Sequence, residues 1–81
     1  MAKARVYVTL KKSVFDPQGK TIHEALLGLG YAQVADVRQG KFFEIDLDGV
    51  AGEEARQAAE EIARRVLANP VIESWKVEVE P

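Results

Sequence analysis

The chain has no cysteine. That excludes disulfide staples and thiolate metal sites, and leaves oligomerisation as the common way for so small a domain to gain buried surface. It has one histidine and no segment with spaced metal ligands, so acid–base and metal chemistry have little to work with. Charge of one sign is not in excess: 11 basic residues face 13 acidic ones, for a net charge of −2. A general nucleic-acid binder carries a clear basic surplus, so that class is set aside. The longest apolar run is three residues, against roughly 20 needed to span a bilayer. The N-terminal Met1-Ala2-Lys3-Ala4-Arg5 stretch lacks the apolar block of a secretory signal, which predicts a cytoplasmic protein with no membrane partner.

What is present is an ordinary globular balance, 47% hydrophobic and 30% charged over 81 residues. This allows one domain spanning residues 1–81, burying roughly 60% of the surface its unfolded chain exposes.

Val6, Val8 and Leu10 alternate with Arg5, Tyr7 and Thr9, the pattern of a strand over 4–10 with one buried face. Asp16-Pro17-Gln18-Gly19 marks a turn. A helix could begin at Pro17 under an Asp16 cap, or near Thr21; the later start is expected because Gly19 weakens a first turn. Ile22, Ala25, Leu26 and Leu29 give that helix an apolar stripe, and Gly30 a left-handed stop. Residues 33–38 and 41–47 are expected as two strands joined at Gln39-Gly40, with Phe43, Ile45 and Leu47 on one face. A second helix is expected over 53–68, with Ala55, Ala59, Ile62 and Val66 inward in a stripe broadened by Ala58, Ala63 and Leu67, and a Glu60–Arg64 pair outward. Asn69-Pro70 ends it, and 71–79 alternates again with Trp75, Val77 and Val79 on one face. The order βαββαβ predicts an α+β, ferredoxin-like two-layer sandwich: a four-stranded antiparallel sheet with two helices on one face.

The chemical motifs are weak. Gly19-Lys20-Thr21 resembles the end of a phosphate loop, but Val14 stands where the motif requires glycine. His23 has no second group placed to orient it. Glu44, Asp46 and Asp48 share the strand face opposite Phe43 and Ile45, where a solvated or interfacial role fits better than catalysis. Gly40-Lys41-Phe42-Phe43 faintly echoes an RNA-binding strand, yet those carboxylates would repel phosphate. Arg38 and Lys41 flank Gly40 as a small cationic spot suited to a partner's carboxylates. Trp75, with Tyr7, Phe42 and Phe43, exceeds what a thin core must bury, which points to a subunit interface. The rival reading is an amino-acid-sensing regulatory domain, whose turn after the first strand is similar to Asp16-Pro17-Gln18-Gly19.

Three stretches taken together resemble one family: Leu10-Lys11-Lys12-Ser13-Val14-Phe15-Asp16-Pro17-Gln18-Gly19, Val37-Arg38-Gln39-Gly40-Lys41, and Leu67-Ala68-Asn69-Pro70-Val71-Ile72-Glu73. They are similar to PurS, the small subunit of phosphoribosylformylglycinamidine (FGAM) synthase. The resemblance implies a subunit without its own active site, cofactor or metal. It would join a glutaminase subunit to a large synthetase subunit, which uses ATP and magnesium, and support ammonia transfer between them. A homodimer or dimer of dimers is implied as well. Expected interface residues are Arg38, Gly40, Lys41, Asn69 and Pro70, because they lie on turns, where core packing explains least, and Trp75, from the surplus of aromatics.

Overall fold

The computed structural model describes residues 2–80. Its elements are β1 (Ala2–Leu10), α1 (Pro17–Gly28), β2 (Gly40–Leu47), α2 (Gly52–Ile62) followed by a π-helical turn (Ala63–Leu67), and β3 (Glu73–Glu80). β1 lies at the centre of a three-stranded antiparallel sheet ordered β2-β1-β3. Val6 is opposite Phe43 on one side and Val77 on the other, and Val8 is opposite Trp75. All these residues therefore share the face that the helical layer covers.

α1 begins at Pro17, not near Thr21. Asp16 is extended (φ −112°, ψ 95°) and its Oδ1 accepts the Gly19 N–H at 2.9 Å. The cap and the preset proline outweigh the flexibility of Gly19. Glycine is needed there for another reason: a Cβ would collide with the Val37 carbonyl. At the other end Gly30 is left-handed (φ +99°) as expected. Gly30 N–H bonds to the Leu27 carbonyl and Tyr31 N–H to that of Leu26, completing a Schellman stop.

The expected strand over 33–38 does not form, so the sheet has three strands and not four. The main-chain groups of this segment are engaged elsewhere. Val34 O lies 2.8 Å from His23 Nε2, and Gln39 N–H donates to Asp16 Oδ2 at 2.8 Å. Residues 34–39 thus strap the root of α1 and leave the outer edge of β2 open.

α2 lies on β1 and β3. Ala55, Ala59 and Ala63 are fully buried, and their small size lets the helix sit close to Ala4 and Val6. Of the expected inward stripe, Val66 is 77% exposed, whereas Leu67 at its margin packs on the core. The cause is the π turn, in which Ala68 N–H reaches back to Ala63 O at 2.9 Å and advances the inward position by one residue. The expected Glu60–Arg64 pair is replaced by Arg56 with Glu53 and Glu60, and by Arg65 with Glu61. β3 starts at Glu73, two residues later than expected. Asn69 holds 70–72 in a turn, its Oδ1 accepting Val71 N–H and its carbonyl accepting those of Ile72 and Glu73.

The uncovered sheet face is a row of charge pairs. Arg5 bridges Glu44 and Glu80, Lys3 faces Asp46, and Tyr7 donates to Glu78 while stacking near Phe42 at 5.0 Å.

The molecule measures 49 × 25 × 14 Å with a radius of gyration of 15.9 Å, where a compact chain of this length would have about 12 Å. The excess comes from α1, which extends away from the sheet. Ile22 and Leu27 of α1 and Leu29 at its C-cap are exposed, and the β2 row Phe43, Ile45 and Leu47 is only half-buried because α2 is centred on β1 and β3.

Candidate partner-docking end of the sheet

The three family-like stretches lie far apart in sequence and meet at one end of the sheet. Antiparallel pairing puts Leu10 opposite Glu73 and Thr9 opposite Gly40. The loops 11–16, 36–39 and 68–72 therefore converge there, and Lys11 N–H bonds to the Ile72 carbonyl at 2.9 Å.

Glu73 organises this end. One carboxylate oxygen accepts the Asn69 N–H at 2.7 Å, and the other lies 3.4 Å from Lys41 Nζ. Lys41 itself is half exposed. Gly40 is required by a close crossing, since a Cβ would meet the Val8 carbonyl. Trp75, next but one along β3, packs on the core and donates its Nε1–H to Glu60 at 3.0 Å. Lys11, Glu60, Pro70, Glu73 and Trp75 border a shallow cleft of about 380 Å³. Five of the expected interface residues, Gly40, Lys41, Asn69, Pro70 and Trp75, are thus brought together.

Arg38 sits apart from the cleft. Its two terminal nitrogens donate to the carbonyls of Lys12 and Val14, each at 2.7 Å, and its Nε lies 3.8 Å from Asp36. The guanidinium is spent on its own chain and does not stand free as a cationic spot.

Asp16 is buried, with both oxygens engaged. The N–H groups of Gln39 and Gly19, in that order, hold its carboxyl below the usual carboxylate range. In the Asp16–Thr21 turn, which an amino-acid sensor would use for its ligand, the Asp16 carboxylate and the Gly19 N–H are already engaged within the chain, while Pro17, Gln18, Lys20 and Thr21 stay exposed. Sequence reasoning names Glu73 only as the end of the third family-like stretch and Glu60 only as a partner of Arg64; their roles at this end depend on partners that folding supplies. Among the described residues no three His, Asp or Glu side chains cluster as a metal site, and no helix is long and apolar enough to cross a membrane.

The family model for phosphoribosylformylglycinamidine (FGAM) synthase, PurS, matches residues 3–81. The chain is 40% identical to the FGAM synthase subunit PurS of Methanocaldococcus jannaschii, over 99% of this chain and 96% of that one. The structure of Bacillus subtilis PurS superposes with a TM-score of 0.87 at 41% identity, covering both chains fully. A chain in the structure of PurLQS from Thermotoga maritima does so with a TM-score of 0.85 at 25% identity, covering 99% of each. With a family match over nearly the whole length and fold agreement to both ends, the chain belongs to the PurS family, a subunit of FGAM synthase.

Proposed function

We propose that this chain is the small bridging subunit of FGAM synthase in de novo purine biosynthesis, working in the cytoplasm. It holds the glutaminase subunit against the large synthetase subunit, so that ammonia released by one is consumed by the other. ATP and magnesium act on the synthetase subunit, and this chain contributes position and exclusion of water. The observation that carries the reading is the arrangement of surfaces on a PurS-family chain. A helix stands off its own sheet with its apolar stripe exposed, and the family-like loops converge at one end.

The off-sheet helix supports a homodimer, or a dimer of such dimers. The observed strand order is that of a ferredoxin-like sheet lacking its outer strand beside β2, and α1 is missing from above that same edge. In a symmetric pair, α1 of each copy would cover the Phe43, Ile45 and Leu47 row of the other and restore the second helix to each sheet. The end built around Glu73 is then left for a larger subunit, with Lys41, Asn69, Pro70 and Trp75 in contact and Gly40 and Arg38 shaping the loops. Synthase assays with purified partner subunits test this. Glutamine-driven turnover should require the chain, whereas ammonium-driven turnover should depend on it far less.

A further inference from the structure

The short linkers at the root of α1 do not by themselves explain why the helix stands off the sheet. Residues 11–16 connect β1 to α1, and six extended residues reach about 20 Å. Neighbouring strands are only about 4.8 Å apart, so α1 has chain enough to fold back over its own β2. The half-buried row of Phe43, Ile45 and Leu47 would reward that closure with further apolar burial. Something must oppose it.

We propose that Arg38 and Asp16 form a latch that fixes the outward direction of α1, offering its apolar stripe to a second copy in place of its own sheet. This deepens the dimer reading above and rests on it. The segments entering and leaving α1 are tied together at its root, almost wholly by polar contacts. Arg38 reaches across to the Lys12 and Val14 carbonyls. Asp16 binds forward to the Gly19 N–H with one oxygen and sideways to the Gln39 N–H with the other. Gln39 Nε2 donates to Gln18 Oε1 at 2.6 Å, and His23 Nε2 meets the Val34 carbonyl. Gly19 permits the Val37 main chain to pass against the helix. Closure of α1 would have to separate these strands of chain and break the set together. Arg38 and Asp16 are positioning residues in this account: they select which surface α1 covers.

The absence of cysteine makes the test direct. Cysteines introduced at Glu24 and Asp48, both exposed, carry spin labels, and labelled chains are diluted with unlabelled ones so that only distances within one chain are read. The unmodified latch should give a single long distance. Arg38→Met keeps the aliphatic stem and removes both donors. It should add a shorter population and weaken dimerisation, read by sedimentation, roughly tenfold to a hundredfold. Asp16→Asn keeps the capping acceptor but loses the acceptor for Gln39, and should act in the same direction while retaining full helical circular dichroism. If both variants keep the single long distance and the parent's dimer constant, the latch is wrong. A parent chain that is monomeric yet keeps the long distance would remove the dimer and leave the latch standing. A parent that already shows the short distance would overturn the latch itself.

Discussion

The indole Nε1–H of Trp75 donates to the carboxylate of Glu60 at 3.0 Å, joining β3 to α2 across the edge of the core. Glu60 is partly open to solvent, so the bond itself is worth little more than an ordinary neutral-to-charged pair. Trp75→Phe should lower unfolding free energy in urea by about 1 kcal/mol. Trp75→Ala also removes packing on Val8 and should cost about 3 kcal/mol. Equal losses for the two would mean that the hydrogen bond, and not the ring, carries the residue.

Gly19 and Gly28 lie in the same helix and should respond oppositely to alanine. A methyl group at Gly19 runs into the Val37 carbonyl, a main-chain atom that cannot swing aside, while at Gly28 it meets open space. Gly28→Ala should raise stability by about 0.5 to 1 kcal/mol through its helical preference. Gly19→Ala should destabilise despite the same preference. Thermal midpoints of the two variants decide the matter, and a stabilised Gly19→Ala would show that the strap does not press on the helix as described.

Asp16 gives the fold a dependence on acid. Its carboxyl is held below the ordinary value by the N–H groups of Gln39 and Gly19, with the Arg38 charge adding to the effect. Lys20, His23 and Asp36 border the same small cleft. A carboxyl depressed in the folded state contributes stability that is complete above its unfolded value of about 3.9. That contribution is lost as the pH falls through the lower folded value. Asp16→Asn should therefore flatten the stability profile below about pH 4, measured by urea unfolding at successive pH values. An unchanged acid limb would assign the dependence to other carboxylates, such as Glu53 and Glu80 beside their arginines.

Much of this architecture is legible in the chain itself. The alternation of Val6, Val8 and Leu10, the Gly30 stop and the Asn69-Pro70 break all act through local chemistry, and each is found in place, whereas the helix entry lies at Asp16-Pro17 and not at the expected Thr21 because the Asp16 cap and Pro17 outweigh Gly19. The segment 33–38 defeats such reading because Val34 and Val37 look like strand residues. The main chain of this segment is claimed at Val34 by His23 and at Gln39 by Asp16, which no window of neighbouring residues contains. Val66 fails for a different reason. A 3.6-residue period cannot foresee a π turn, and one extra residue moves the core position to Leu67. At the docking end the turn residues announce themselves, but the carboxylate that binds them together, Glu73, is visible only once β1 brings the three loops side by side.

At that end, Lys41→Glu places a second carboxylate beside Glu73, which is mostly buried. The pair should loosen the Asn69 turn and weaken co-elution with the partner subunits by about tenfold or more, at little cost to the fold's helical signal. Lys76→Glu, on the opposite sheet face, is the control and should leave co-elution unchanged. Equal behaviour of the two variants would move the partner contact away from the Glu73 end.

The most direct test of the central claim is synthase turnover with purified large and glutaminase subunits, with and without this chain, using glutamine and then ammonium as the nitrogen donor. A coupling subunit predicts that glutamine-driven turnover collapses without the chain while ammonium-driven turnover largely persists. Glutamine-driven turnover that proceeds equally well in its absence would contradict the account.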